Sequence, residues 1–306
     1  MLSRPDVVVL GAGGALGEAW MMGLLAGIED GSGFDLRRCE YFVGTSAGAI
    51  VAAQLAAGNP PRRPAPVQRE PAPPPVQRPN PLAAAALGAA RRAGGVALAA
   101  SASFAPLALG LAAPGGALVR AALLRSLPRP AQTLDQLRSD VESTGATFDG
   151  RLRIVAVQRS SGRRVVFGRP GAPYASAGQA VEASCTVPWL FAPVVIGGQE
   201  YVDGALWSPT NLDTAPAGRD TQVLCLTPIG SIVGDHTLIS VARNVARSAV
   251  SIEALALRRR GATVQMVAPN IESAAAMGPS SIDGDPAARV LESAYKQGLQ
   301  VAEQDC

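Results

Sequence analysis

Tyr41-Phe42-Val43-Gly44-Thr45-Ser46-Ala47-Gly48 joins an apolar, strand-forming run to a G-x-S-x-G pentapeptide. The preceding residues, Glu40–Val43, predict a strand, and Ala47–Ala57 predict a helix. A serine between strand and helix, flanked by glycines, is the pattern of a nucleophile elbow. Gly44 and Gly48 let the backbone turn sharply with no Cβ in the way. The Ser46 hydroxyl is then held out of the sheet at a helix N-terminus, where the dipole and free N–H groups favour a developing negative charge. The same letters also suit a tight turn around a buried serine.

Upstream, Val7-Val8-Val9-Leu10 is short, β-branched and wholly apolar, as a buried parallel strand requires. A glycine-rich run, Gly11-Ala12-Gly13-Gly14-Ala15-Leu16-Gly17, follows it, and a helix is expected from about Glu18 to Glu29. Backbone N–H groups in such a run can stabilise an oxyanion or cradle a phosphate. A dinucleotide-binding loop reads similarly but wants an acidic residue at the end of the second strand. That position belongs here to the serine turn. Downstream, Tyr201-Val202-Asp203-Gly204-Ala205 places an aspartate at a strand end before a glycine turn. It is a candidate base presented where active sites gather, or an ordinary Asp-Gly turn.

Between these segments the texture changes. Ten of the 22 residues from 60 to 81 are proline, which excludes a helix or a central strand. A stiff linker or exposed loop is expected there. Residues 82–127 are rich in Ala, Gly and Leu, with no charge between Arg92 and Arg120. Prolines and paired glycines interrupt this stretch, so an apolar insertion, a lid or a membrane-contacting surface is expected rather than a span. After Pro130, Thr133-Leu134-Asp135-Gln136 has the letters of a capping box. Strands are expected at Arg151–Gln158, Arg163–Gly168, Glu200–Asp203, Gln222–Thr227 and Thr263–Val267. Helices are expected at Ala175–Ala183, Thr237–Arg260 and Pro286–Gln304. The alternation predicts a three-layer α/β/α domain with a mostly parallel sheet and a helical insertion.

Composition narrows the chemistry. The 306 residues are 48% hydrophobic with a net charge of +3, which excludes global disorder and gives no nucleic-acid footprint. There is one histidine, His236, and one lysine, Lys296. A metal site built on several histidines is excluded. Cys39, Cys185, Cys225 and Cys306 form no CxxC pair, so no metal knot or disulfide framework is expected. No cofactor is expected. Reduced thiols and the lack of a signal-like N-terminus predict a cytoplasmic protein, with peripheral membrane contact through 82–127.

The glycine run, the elbow and the late Asp-Gly together resemble the patatin-like phospholipase family. Ala183-Ser184-Cys185-Thr186-Val187-Pro188-Trp189-Leu190-Phe191-Ala192-Pro193 is similar to the family's A-S-x-x-x-P-x-x-F-x-P segment. The resemblance covers residues 6–58 and 130–229. It implies a Ser46–Asp203 dyad, with Ser46 as nucleophile and Asp203 as base. It also implies an oxyanion hole around Gly13, Gly14 and Ala15, and hydrolysis of lipid acyl esters through an acyl-serine. Two positions depart from the family pattern: Leu16 replaces the arginine of G-G-G-x-R-G, and Ala205 replaces the last glycine of D-G-G. Two other readings stay open. One is an α/β-hydrolase triad of Ser46, Asp203 and His236, whose chain order fits. The other is a lipid-binding protein without catalysis.

Overall fold

The computed structural model describes residues 3–65, 116–228, 237–278 and 285–303. A mixed, mostly parallel sheet forms its centre. Its strands are β1 (Val7–Leu10), β2 (Tyr41–Thr45), β3 (Leu152–Gln158), β4 (Arg164–Phe167), β5 (Val194–Ile196), β6 (Gln199–Asp203), β7 (Gln222–Leu226) and β8 (Thr263–Val267). The order is β5-β6-β3-β2-β1-β7-β8, with β4 paired to β3. β1, β2, β3, β7 and β8 run parallel; β4, β5 and β6 are the antiparallel end.

Helices cover both faces, and strand alternation shows why. Val8, Leu10, Phe42, Ile154, Ala156 and Tyr201 point into one core with α1 (Gly14–Ser32), α2 (Ala47–Ala56), α5 (Ala177–Cys185) and α8 (Pro286–Glu303). Val7, Val9, Val43, Val155 and Val223 point the other way, onto Val250, Ala254 and Leu257 of α6 (Thr237–Arg259). On this second face, Leu124 of α3 (Gly116–Ser126) meets Val157 and Val202. Strands buried on both faces have no polar side to show, so their sequences read as unbroken apolar runs. The three-layer α/β/α architecture matches the expectation.

The C-terminal helix α8 closes the molecule over α1. Glycines let the two backbones touch: a Cβ at Gly27 would overlap the Tyr295 carbonyl, and one at Gly298 the Leu24 carbonyl. The buried indole N–H of Trp20 donates to Gln297 Oε1 at 3.1 Å, and Gln297 Nε2 donates to the Ala268 carbonyl at 2.7 Å. α1 carries the glycine run at its N-terminus, so this packing also fixes one wall of the site.

Several boundaries differ from expectation. α1 begins at Gly14 rather than Glu18, so the later glycines form its first turn instead of a free loop. β2 continues through Thr45, which brings the strand up to Ser46 itself. The helix α4 (Asp135–Ser143) has Leu134 as its N-cap with no side-chain bond; the Thr133 hydroxyl donates instead to the Asp135 carboxylate at 2.7 Å. The capping box forms at α5, where the Ser176 and Gln179 side chains exchange bonds with each other's backbone N–H. The strand β5 and the short helix α7 (Ile271–Ala276) were not anticipated.

Candidate active site

The register of β3 explains how Ser46 and Asp203, 157 residues apart in sequence, come together. β4 occupies one edge of β3 along Ile154–Val157. β2 and β6 must therefore share the other edge, and they approach each other head to head. Thr45 ends the β2 pairing opposite Val155, and Asp203 ends the β6 pairing opposite Ala156. The C-terminal tips of two strands thus meet at neighbouring positions on a third.

Ser46 stands at the β2 tip with φ 54° and ψ −125°, in the left-handed region that residues with a Cβ rarely occupy. The surroundings enforce this turn. A Cβ on Gly44 would lie 2.5 Å from the Ala49 Cα, and one on Gly48 would overlap the Leu10 carbonyl. Both elbow glycines are required by backbone contact, and the second presses α2 against the end of β1. Gly48→Ala is expected to cost about 3 kcal/mol or more, because a backbone carbonyl has nowhere to go. Gly218→Ala, with nothing within 4 Å of the added Cβ, should shift the urea midpoint little; equal midpoints for the two variants would contradict this packing.

Asp203 is 4% exposed, among Tyr201 and Val202 at 1% and 0%. Its Oδ1 accepts from the Ala205 N–H at 2.8 Å, at the start of the turn Gly204–Leu206. Gly204 has room for no side chain, because a Cβ there would overlap the Val155 carbonyl. Burial pushes the Asp203 carboxyl up from 3.8 to about 7; the Ala205 N–H and then the Ser46 hydroxyl pull against that rise. The Ser46 hydroxyl is thus a hydrogen-bond partner of the carboxyl. Cys185 is close by, but burial first, and the Asp203 charge second, hold its thiol well above the usual range. A neutral thiol is a poor nucleophile.

The glycine run is tied down on both sides of its entry. Gly11 N–H donates to the Leu226 carbonyl at 3.0 Å, and Ala12 N–H to the Pro209 carbonyl at 2.8 Å. Gly13 sits against Pro228, 2.6 Å from where its Cβ would be, and Gly14 has φ 60°. Gly14 and Ala15 are exposed and open α1. First-turn N–H groups have no acceptor within their own helix, so these donors point outward from a helix N-terminus. The contact of Gly48 with Leu10 and Gly11 puts this run beside the elbow. Leu16 is half-buried against the main core.

Three residues that sequence reading passed over organise the site. Asn211, fully buried with φ 50°, donates to Thr45 Oγ1 at 3.1 Å, the Gly204 carbonyl at 3.3 Å and the Ser208 carbonyl at 2.8 Å. It thereby links the residue before Ser46 to the residue after Asp203. Ser184 Oγ accepts from the Ser46 N–H, and the Thr186 carbonyl accepts from the Asp203 N–H. Ser184 and Thr186 lay inside the quoted Ala183–Pro193 segment, so a signal existed for them. Asn211 had none. On the far side of this loop Glu253 accepts from Thr210 Oγ1 and the Leu212 N–H. Burial, and secondarily the charge of Asp213, raises the Glu253 carboxyl.

Among the described residues there is no group of three or more His, Cys, Asp or Glu placed to hold a metal ion, and no helix long and apolar enough to cross a membrane. His236 and residues 66–115 lie outside the described residues. The end of the uncharged stretch is described: it is α3, with Leu118 and Val119 exposed and Arg120 buried.

Fold and site together define a three-layer α/β/α protein with a strained elbow serine facing a buried aspartate. The family model described as Patatin-like phospholipase matches residues 8–216, and the chain belongs to that family. The match ends before β7, so β8, α6 and the capping helix α8 lie beyond it. Membership supports lipid acyl hydrolysis in general as the chemistry. No curated protein matches the sequence. Among solved structures, the crystal structure of VipD from Legionella pneumophila aligns with a TM-score of 0.43 and 14% identity, covering 99% of this chain and 67% of that one.

Proposed function

We propose that this protein cleaves carboxylic acyl esters of lipids, as a phospholipase A, lysophospholipase or esterase, through an acyl-Ser46 intermediate. The observation that carries this reading is the strained Ser46 turned toward a carboxyl whose burial makes it basic near neutral pH. Asp203 accepts the Ser46 Oγ proton as Oγ attacks the ester carbonyl carbon. The N–H groups of Gly13, Gly14 and Ala15 receive the oxyanion. The tetrahedral species expels the alcohol, which takes the proton from Asp203. Asp203 then deprotonates a water that attacks the acyl-serine; the fatty acid leaves and Ser46 regains its proton.

The proposed acyl-hydrolase domain is residues 1–306; the linker expected at 60–81 and the insertion or lid expected at 82–127 lie largely outside the described residues, and the lipid contact proposed for 82–127 is judged from its described end, 116–127. The exposed Leu118 and Val119 suit such contact. Because Leu124 of the same helix packs on Val157 and Val202, the end of this stretch also belongs to the core.

The test separates the dyad from the triad. His236→Ala should keep most of the activity on a panel of p-nitrophenyl esters, lysophospholipids and acylglycerols. A loss of about 10³-fold or more would make His236 a third catalytic member, since triads fail on that scale when one member is removed.

A further inference from the structure

The segment Ser184-Cys185-Thr186, where α5 ends, contacts both members of the proposed dyad through its polar atoms. Ser184 is 0% exposed. Its Oγ accepts from the Ser46 N–H at 2.9 Å and donates to the Val155 carbonyl at 2.6 Å. Two residues on, the Thr186 carbonyl accepts from the Asp203 N–H at 2.9 Å. Serines within helices ordinarily bond back to the preceding turn, as Thr186 does, its Oγ1 donating to the Glu182 carbonyl at 2.8 Å. Ser184 instead turns outward, to β2 and β3. The Val155 carbonyl it holds is the one against which Gly204 closes. The Ser46 N–H belongs to a strained residue, and its bond to Ser184 opposes relaxation of φ out of the left-handed region.

We propose that Ser184 is a positioning residue: with the Thr186 carbonyl it forms a clip that sets the approach of the Ser46 hydroxyl to the Asp203 carboxyl. The clip rests on the dyad reading and adds a member to it that touches no substrate. Without Ser184 Oγ, the part-buried Ser46 N–H loses its acceptor, the elbow relaxes, and Oγ drifts from the carboxyl. Small misplacements of reacting groups cost rate steeply while leaving binding intact.

The experiment compares wild type, Ser184→Ala, Ser184→Cys and Ser273→Ala. The last removes one hydroxyl of another buried pair, Ser273–Ser293 at 3.0 Å, which shares no hydrogen bond with Ser46 or Asp203. The second-order rate of fluorophosphonate labelling is measured per folded molecule, with kcat and KM on a soluble ester. Ser184→Ala should label and turn over about 10- to 100-fold more slowly with KM little changed. Ser184→Cys, a weaker acceptor in the same place, should fall between it and wild type. Ser273→Ala should lose a comparable amount of stability but no rate. Wild-type rates in the Ser184 variants, or an equal loss in Ser273→Ala, overturn the clip. Should Ser184→Ala not fold, Ser184→Cys decides by the same measure. Failure of wild type itself to label overturns the dyad, and the clip with it.

Discussion

Ser46→Ala is expected to reduce ester hydrolysis at least about 10³-fold while leaving the fold intact, the scale on which serine hydrolases lose activity without their nucleophile. The substitution removes one oxygen from a position whose N–H, glycine neighbours and Ser184 contact stay unchanged. Alanine still carries a Cβ at φ 54°, so the strain persists and no large gain in stability is expected. The variant should therefore match wild type in circular dichroism and urea midpoint while being inert on every ester. Comparable hydrolysis by Ser46→Ala would remove the nucleophile from the account. A lipid-binding protein without catalysis would show no activity in either form, with lipid binding unchanged.

Asp203→Asn is expected to lose activity on a similar scale, about 10³-fold or more, because asparagine cannot accept the serine proton. Its effect on stability has the opposite sign. The folded-state carboxyl sits near 7, above its ordinary 3.8. The fold therefore favours the protonated form. That contribution is fully present below the unfolded value and is lost as pH rises through about 7. Above pH 7 the wild type carries a buried charge that asparagine lacks, while the amide oxygen can still accept from Ala205 N–H. Asp203→Asn should thus be more stable than wild type at pH 8, with a ceiling of roughly 4 kcal/mol from the size of the shift. The difference should shrink as pH falls toward 4. For wild type, kcat/KM should fall about tenfold per pH unit below about 7, as the base takes up its proton. A profile flat from pH 5 to 8 would show that this carboxyl is not the base.

Much of this arrangement is legible in the sequence because it is local. The apolar run Val7–Leu10, the glycine-flanked Ser46 and the strand ending at Asp203 each announce themselves through residues within one turn of the chain. Their alternation with helices suffices for the layer architecture. What stays hidden is the relation between elements. That β2 and β6 share one edge of β3 depends on register at Val155 and Ala156, and no pattern within β6 encodes it. β5 is hidden for a different reason: three residues between Pro193 and Gly197-Gly198 leave too short an alternation, although the paired glycines are a hairpin signal. Asn211 reads as an ordinary loop residue, yet it ties Thr45 to Gly204 because both strand tips converge there. Ser184 stands in the Ala183–Pro193 segment, one residue past the helix expected at Ala175–Ala183, and only its neighbours in space give its hydroxyl a task. The glycine run reads as a loop before α1, whereas Gly14 already belongs to the helix; local letters fix a turn less well than the packing of Gly13 on Pro228.

The most direct test of the dyad is to react wild type with a fluorophosphonate across pH 5 to 9 and map the adduct by peptide mass spectrometry. One adduct is expected, on Ser46, forming faster as pH rises through about 7 and slowed severely in Asp203→Asn. An adduct elsewhere, no adduct, or a Ser46 adduct whose rate ignores both pH and Asp203 would contradict the dyad.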